Sequence, residues 1–435
     1  MVPYIYIHPI AVMLSCCQNT PREALGVANI VDKFLSTSPL PPYQSRLHRG
    51  VWRTLTMRFS KRTNECMLII LHAPPSGGAG KREDGQDDYS EQWESEKKRL
   101  IQMLTEDSIS LPHVTFPDLT QTEETIEREN ILIAPLPASS TLVTSTSTSD
   151  ADSDVPVPVP VPFKVTSIYF QEYEGLSTPS PEHPVQLEYG SGIMKERLGQ
   201  CEFQISPGAF FQVNTEAAEV LYNVAVEKVK EVTCAEGANP KNALLLDVCC
   251  GTGTIGLTCM KEGAVGKVVG VDISEPAIKD AEINAELNGY KNESQSQSQS
   301  ETIADFQTKF IASRAEAVLA KELSDIQDKP GENKEKMIVA VVDPAREGLH
   351  NTVLRTLRVN EAIKRLVYVS CNPSGSLVKD AAVLCQPTSK KYGGRPFKIS
   401  SAQPVDMFPL TNHCEMVMVF DRMSKDECSK TEQEK

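Results

Sequence analysis

The stretch LLLDVCCGTGTIGL, residues 244–257, is an apolar run that passes through a glycine-rich turn into a second apolar segment. Four similar runs follow, each separated from the next by a stretch suited to a helix: KVVGVDI, KFIA, MIVAVVDP and RLVYVSC. Continuous apolar strands that alternate with helices are typical of a parallel sheet covered on both faces. We therefore predict a doubly wound α/β fold for this half of the chain. The last two apolar segments, FKISSAQPVDMFPL and CEMVMVFDR, predict a final antiparallel hairpin.

The glycine-rich turn is a candidate ligand loop, because a doubly wound sheet binds ligands at the carboxyl ends of its strands. Gly251 and Gly253 permit close approach of the backbone, although NAD-binding folds use a similar turn. Asp247 precedes the glycines, where a carboxylate would repel a pyrophosphate but could accept from an ammonium group. Asp272 ends the next run, about 20 residues farther on, as ribose binding requires. The alternative role for Asp272 is a helix N-cap, worth ~1 kcal/mol. Together the two acids favour S-adenosylmethionine.

Four residues at or next to the ends of the later runs are candidates for the chemistry. Asp343 ends the fourth run and Arg346 follows it; a D-P-P-Y sequence there would suggest methylation of an exocyclic amine, and Arg346 removes the aromatic platform for it. A plain strand end followed by a turn is the alternative. Cys371 ends the fifth run, and although an isolated cysteine is commonly an inert small hydrophobe, this position favours a reactive one. Glu415 begins the last strand, and its meaning depends on Cys371.

Composition limits the class of protein. With 435 residues and 40% hydrophobic residues, the chain is long enough for two packed cores, a catalytic domain and an accessory one. No apolar run reaches the roughly 18 residues of a membrane span, and the apolar opening stretch lacks the basic region of a signal peptide. The 12 cysteines show no paired C-x-x-C spacing, which predicts reduced thiols in the cytoplasm or nucleus and no metal site.

A basic segment between residues 46 and 62 stands out in a chain whose net charge is −14. A local basic patch is what contacts phosphate, so the overall acidity does not exclude a nucleic-acid partner. A solvated strand face is the alternative. The segment contains six basic residues and three rings that could stack on bases: Arg46, Arg49, Arg53, Arg58, Lys61 and Arg62, with His48, Trp52 and Phe59.

Five motifs, in this order, resemble those of the RNA uracil-5 methyltransferase family: SPGAFFQVN, DVCCGTGTIGL, DPAREGLH, VSCNP and NHCEM. HRGVWRTLTMR, residues 48–58, is also similar to the central domain of the eukaryotic tRNA branch. The resemblance implies a Rossmann-like class I methyltransferase with a seven-stranded, mainly parallel sheet. It implies S-adenosylmethionine as the cofactor and RNA as the partner, with the T-loop uridine of tRNA favoured. Ribosomal RNA and an RNA-binding homologue without strong catalysis are the alternatives.

The resemblance also implies roles for residues. Cys371 would add to carbon 6 of uracil as the nucleophile, Glu415 would remove the proton from carbon 5, and Arg346 would orient the uracil or its enolate. Seven residues are expected at the cofactor: Gln212, Asp247, Cys249, Gly251, Gly253, Asp272 and Asp343. Of these, Gln212 and Asp343 would also lie near the base, and Asp272 would hold the ribose. Ala345 departs from the usual D-P-P-R sequence, which loosens a rigid turn. The iron-sulfur cysteine cluster of some members is absent, so we expect no cluster and no metal. The expected oligomeric state is a monomer.

The expected organisation is a poorly matched segment at 1–40, an α+β accessory and RNA-binding domain with an antiparallel sheet at 41–205, the catalytic domain at 206–425 and a charged tail at 426–435. Low-complexity composition predicts three insertions that carry no chemistry, at 75–98, 139–162 and 291–301. Between the first two, residues 89–106 have the apolar spacing of an amphipathic helix.

Overall fold

A computed structural model describes residues 4–6, 22–44, 46–76, 88–106, 163–176, 179, 183–292, 307–327 and 337–433. The first part of the chain forms a five-stranded sheet in the order β1-β2-β3-β4-β5. Its strands are β1 Tyr4–Tyr6, β2 Trp52–Phe59, β3 Glu65–His72, β4 Lys164–Glu172 and β5 Gln186–Gly190. In the part of this region that the structure describes, two α-helices accompany the sheet, α1 Arg22–Leu35 and α2 Ser90–Thr105. A two-stranded hairpin follows, β6 Met194–Leu198 and β7 Cys201–Ile205.

This sheet is mixed, and the prediction of an antiparallel sheet is wrong at one pair. Strands β3 and β4 are parallel, with Cys66 opposite Val165 and Ile70 opposite Phe170. Parallel neighbours need a crossover connection, and the chain between these strands includes α2. The other three pairs of the sheet are antiparallel.

The helices of this part confirm one sequence prediction, correct a second and add an element that was not predicted. Helix α2 confirms the amphipathic helix expected at 89–106, with Leu100 and Leu104 buried. It also shows that the insertion placed at 75–98 is wrong from residue 90 onward, because apolar residues at helical spacing pack α2 against the core. Helix α1 lies in the segment 1–40, for which no structure was predicted. The insertion at 139–162 lies outside the described residues, as does most of that at 291–301.

The second half of the chain contains the predicted α/β sheet of seven strands, in the order β10-β9-β8-β11-β12-β14-β13. Its strands are β8 Leu244–Val248, β9 Lys267–Asp272, β10 Thr308–Ala312, β11 Ile338–Val342, β12 Ile363–Ser370, β13 Phe397–Val405 and β14 Glu415–Arg422. The first five are mutually parallel, and β14 runs antiparallel to β12 and β13. The mainly parallel sheet and the final hairpin are therefore confirmed.

The described residues of this half form seven α-helices: α3 Thr215–Thr233, α4 Thr254–Lys261, α5 Glu275–Leu287, α6 Ala315–Gln327, α7 Asn351–Val359, α8 Ser376–Cys385 and α9 Lys425–Gln433. Both faces of the sheet are covered. On β8, Leu245 packs into one apolar cluster with residues of α3, α4 and α5, while Leu244 and Leu246 pack into another with residues of α6, α7 and α8. A strand buried on both sides needs apolar residues at every position, which explains the continuous run.

The order of the strands determines where a site can form. Strand β8 lies between β9 and β11, so the chain reverses its direction of progress across the sheet at β8. The carboxyl ends of β8, β9, β11 and β12 and the start of the antiparallel β14 meet at one edge. In open α/β sheets the ligand binds at such a switch point. Among the helices that the structure describes, none is long and apolar enough to cross a membrane.

Candidate active site

The loop after β8 has a backbone that two of its glycines make possible. Gly251 and Gly253 have φ of 53° and 78°, in the left-handed region that favours glycine. A Cβ on Gly253 would lie 3.2 Å from the ring of Phe310, whereas a Cβ on Gly251 would meet nothing within 4 Å. Gly253 therefore serves conformation and packing, while Gly251 borders open space at the ligand edge.

The two acids predicted at the cofactor both contact this loop. Asp272 Oδ2 accepts from the Gly251 N–H at 2.9 Å, and its Oδ1 accepts from the Ser274 N–H at 2.9 Å. Ser274 is the N-cap of α5, so the N-cap alternative for Asp272 is wrong. Asp247 is buried, and its Oδ2 accepts from the Gly256 N–H at 2.9 Å.

Asp247 retains one unused acceptor. Its Oδ1 is buried and has no hydrogen-bond partner among the described residues. Burial raises the pKa of Asp247 to about 7, and the charge of Asp272 adds to this, while the Gly256 N–H opposes it. A buried acceptor without a donor fits a cationic N–H group of a ligand.

Gln212 and Asp343 both interact with Tyr222. Gln212 is buried and hydrogen-bonds to the Tyr222 hydroxyl, which also accepts from Thr254 Oγ1 at 3.3 Å. Burial raises the pKa of Tyr222, and the charge of Asp343 contributes. Burial also raises the pKa of Asp343 well above its ordinary value, with further contributions from Glu415, Asp247 and Asp272. Four carboxylates therefore share one electrostatic environment.

Cys371 and Glu415 lie at the ends of neighbouring antiparallel strands. Ser370, the last residue of β12, pairs with Met416 of β14. Cys371 follows Ser370 and Glu415 precedes Met416, so the two residues meet at the edge of the sheet. Burial raises the pKa of Glu415 to about 7, while the charge of Arg346 opposes this. Glu415 Oε2 is buried and has no hydrogen-bond partner among the described residues. A carboxylate with these properties is suited to accept a proton near neutral pH.

Arg346 joins this pair from the loop after β11. Burial raises the pKa of the Cys371 thiol and the charge of Glu415 adds to this, whereas a hydrogen bond from Arg346 and its positive charge lower it. The Arg346 side chain is otherwise exposed. The predicted catalytic residues therefore lie together, and the guanidinium favours the thiolate form of the cysteine.

The loop that carries Arg346 is held by hydrogen bonds to residues that the sequence analysis did not predict. Asn372 Nδ2 donates to the Arg346 carbonyl at 3.0 Å, which ties the loop to the residue after Cys371. Asp380 Oδ2, on α8, accepts from the Leu349 N–H at 2.8 Å and from the Tyr368 hydroxyl at 2.6 Å. These contacts hold a turn in which Ala345 replaces a rigid proline. An acidic residue on the buried face of α8 was the available signal.

Cys249 is placed in the loop but is not a reactive thiol. Its φ is 63°, and burial together with the charges of Asp272 and Asp343 raises its pKa to about 12. Its contribution to the site is the shape of its backbone.

Phe210 is a residue that sequence reasoning missed: it lies two positions before Gln212 and is 67% exposed.

The basic segment is less exposed than predicted. Trp52 is fully buried between Phe34 and Trp93, with ring centroids at 5.2 and 5.3 Å, so the prediction that it could stack on a base is wrong. Phe59 packs on Phe163 at 5.4 Å. These rings fill the core between the first sheet and its helices.

Three of the arginines donate hydrogen bonds to backbone carbonyls elsewhere in the protein. Arg53 donates to the Tyr173 carbonyl at 2.6 Å. Arg58 donates to the carbonyls of Ser206 and Ala209 at 3.2 and 2.8 Å. Arg62 donates to the Arg197 carbonyl and pairs with Glu219 of α3. Arg46 and Lys61 are exposed.

Residues 239–374 match the family described as Methyltransferase domain. The matched segment includes the strands and loops that carry Asp247, Asp272, Asp343 and Cys371, while Gln212 and Glu415 lie outside it.

Relatives extend the similarity beyond the methyltransferase domain. The chain is 38% identical to a tRNA (uracil-5-)-methyltransferase homolog B of Danio rerio over 60% of this chain and 48% of the relative. It is 31% identical to the Homo sapiens homolog B over 93% of this chain and 62% of the relative. The chain thus spans about half to three fifths of the length of these relatives. Its resemblance to the RNA uracil-5 methyltransferases is confirmed.

One solved structure is similar over most of the chain. It is that of the Pyrococcus abyssi tRNA (uracil-54, C5)-methyltransferase in complex with S-adenosyl-L-homocysteine, with a TM-score of 0.51, 20% identity, and coverage of 92% of this chain and 67% of that one. At this identity the likeness concerns the fold, and it confirms the predicted Rossmann-like methyltransferase architecture.

Proposed function

We propose that the chain is an S-adenosylmethionine-dependent enzyme that methylates carbon 5 of uridine in RNA, with a uridine in the T-loop of tRNA as the favoured target. The observation that carries the proposal is the meeting of Cys371, Glu415 and Arg346 at one edge of the sheet, beside the glycine loop. Methylation of carbon 5 needs both a thiol and a carboxylate, and here they lie on adjacent strands. Methylation of an amine needs neither group.

The residues support a covalent mechanism. The Cys371 thiolate adds to carbon 6 of uracil, and the electron pair of the double bond moves onto the carbonyl oxygen as an enolate. Arg346 stabilises the thiolate before the addition. With S-adenosylmethionine bound, carbon 5 would accept its methyl group as the methyl–sulfur bond of the sulfonium breaks and a neutral thioether leaves. Glu415 would then remove the proton from carbon 5, and the bond between carbon 6 and the Cys371 sulfur breaks as the double bond returns.

The residues present fit the proposed cofactor. When bound, S-adenosylmethionine supplies an electrophilic methyl group on a positively charged sulfur. Asp247 would accept from its ammonium group through the unpartnered Oδ1, and Asp272 would hold the ribose. Gln212, Cys249, Gly251, Gly253 and Asp343 complete the proposed cofactor surface. An edge lined with carboxylates favours a cation over a dinucleotide pyrophosphate.

The test is methyl transfer from labelled S-adenosylmethionine to unmodified tRNA and ribosomal RNA, with mapping of the product nucleotide. Wild type is expected to form 5-methyluridine, Cys371→Ala no product, and Glu415→Gln a covalent RNA adduct that survives denaturation. Cys414→Ala, next to Glu415, is the matched control and is expected to retain activity. Product on ribosomal RNA alone would move the substrate to that class. Cofactor binding without product on any RNA would favour a non-catalytic RNA-binding homologue.

The accessory part is proposed to hold the RNA. We assign 41–205 to RNA binding and 206–425 to catalysis, with Arg46 and Lys61 as the exposed cations of the basic segment. All ten described cysteines are free thiols, which supports a location in the cytoplasm or nucleus. No group of three or more His, Cys, Asp or Glu side chains in the described residues could hold a metal ion. A monomer is the proposed state.

A further inference from the structure

The loop 406–414 joins β13 to β14 and leads directly into Glu415. Its two ends are held together, because Val405 pairs with Glu415. Within it, the Thr411 N–H donates to the Phe408 carbonyl at 3.2 Å, which closes a four-residue turn with Pro409 second and Leu410 third. Leu410 has φ of 64°, and a proline followed by a residue with positive φ is the pattern of a type II turn.

Leu410 is an unfavourable choice for this turn in the free protein. The third position of such a turn favours glycine or asparagine, because a side chain with a Cβ is strained at positive φ. The Leu410 side chain is also 76% exposed, so it gains little from burial. By contrast, Met407 is buried and Phe408 packs against the core, which anchors the loop. The fold thus holds an apolar side chain out into solvent at the apex of an anchored loop.

This side chain is close in the chain to the residue that acts on the target base. Glu415 lies five positions after Leu410, a span of at most about 17 Å of extended chain. A uridine in a folded loop must leave its base stack to reach Cys371 and Glu415, and this leaves a gap between its neighbours. Proteins that unstack nucleic acid insert leucine, phenylalanine and similar apolar side chains between bases.

We propose that Leu410 is a wedge that enters the RNA base stack at the place vacated by the target uridine. This inference rests on the proposed function and identifies how the same site opens its substrate. The apolar side chain becomes buried between bases only in the complex, which accounts for a residue that costs backbone strain and contributes little packing in the free chain.

The experiment compares a folded tRNA with a short unstructured oligonucleotide that contains the same uridine. Leu410→Gly removes the wedge and relieves the turn. We expect kcat/KM on folded tRNA to fall at least about ten-fold, with less than about a two-fold change on the oligonucleotide, whose uridine is already unstacked. The urea midpoint of unfolding should stay the same or rise. Leu410→Met is expected to recover most of the activity, and Leu176→Ala, at another site 74% exposed, is the control.

Binding of a tRNA with 2-aminopurine beside the target uridine gives a readout that needs no methyl transfer. Wild type and Cys371→Ala should both raise its fluorescence, and Leu410→Gly should not. An equal loss on both RNAs, or no loss on either, would overturn the wedge, since the loop would then only position Glu415 or play no part. Wild type inactive on both RNAs with no rise in fluorescence refutes the inference and the proposed function together. A fluorescence rise without methylation refutes only the function.

Discussion

Single carboxylates at this site are held where ionisation is unfavourable. Burial raises the pKa of Asp247 and of Glu415 to about 7 and raises that of Asp343; neighbouring carboxylates add to the effect at Asp247 and Asp343, whereas Arg346 opposes it at Glu415. The free protein therefore keeps some of these groups protonated near neutral pH. A cationic ligand would favour their charged forms, so ligand binding and proton release should be linked.

Glu415→Gln should stabilise the protein in a manner that depends on pH. The pKa of Glu415 rises from 4.5 to about 7 on folding, so the folded chain binds the extra proton between these values and stability falls as pH rises through them. The variant lacks this loss. We expect it to be about 1–3 kcal/mol more stable than wild type at pH 8 and about equal at pH 4.5, measured by urea unfolding. Glu91→Gln, on the surface of α2, is the control, and a difference independent of pH would contradict the argument.

Arg346→Ala should make Cys371 less reactive. The guanidinium lowers the pKa of the thiol, so its removal leaves burial and Glu415 to raise that pKa further. At pH 7.5 we expect iodoacetamide to alkylate Cys371 several-fold more slowly, as followed by mass spectrometry of the peptide. The exposed Cys234 provides an internal reference. An unchanged rate would mean that Arg346 acts only on the substrate.

At the scale of elements, α8 and the β11 loop work as one unit. Asp380 fixes the Leu349 N–H and the Tyr368 hydroxyl, and Gly348, with φ of 84°, leaves it room, since a Cβ there would lie 2.7 Å from Asp380 Oδ2. This unit holds Arg346 near Cys371 without the second proline of the usual motif.

Asp380→Asn should loosen this unit. The amide oxygen can still accept from both donors, but an amide is a weaker acceptor than a carboxylate, so the two hydrogen bonds weaken, which costs about 1–3 kcal/mol. We expect faster hydrogen exchange in residues 343–350 and slower alkylation of Cys371, in the direction of Arg346→Ala. Asp421→Asn, which disturbs the Arg365 pair at the far end of β14, is the matched control. Loss of stability without a change at Cys371 would limit Asp380 to a structural role.

Some elements could be predicted from sequence and others could not, for physical reasons. The five parallel strands were predictable because burial on both faces demands continuous apolar runs, as on β8. The parallel pairing of β3 and β4 has no local signal, because it depends on a crossover through α2. Helix α1 has a local signal, because apolar residues such as Ala24, Val27, Ala28 and Val31 recur at helical spacing, although it lies in a segment for which no structure was predicted.

The candidate site shows the same division. Cys371, Glu415, Asp272 and Asp343 end or begin strands, so strand prediction was enough to bring them to one edge. The burial of Trp52 and the leucine in the turn at Leu410 depend on tertiary packing and backbone conformation, which the residue types do not reveal.

Over the whole molecule, the basic segment joins the first sheet to the proposed cofactor site. Arg58, on β2, donates to the carbonyls of Ser206 and Ala209. From the other side, Asp280 of α5 accepts from the Ser206 N–H at 2.8 Å and from its hydroxyl at 2.7 Å. These contacts hold the loop that carries Gln212.

Arg58→Ala and Arg46→Ala should therefore fail in different ways. Loss of Arg58 frees the Gln212 loop, so we expect several-fold weaker binding of S-adenosylhomocysteine by calorimetry and no change in the salt dependence of RNA binding. Loss of the exposed Arg46 should leave the cofactor affinity intact and reduce the salt slope by about 0.7–0.9 for each lost phosphate contact. Arg58→Lys keeps the charge without the planar fork and should behave like alanine. If Arg58→Ala instead lowered the salt slope alone, the basic segment would be an RNA surface along its whole length, because charge rather than loop support would then be its contribution.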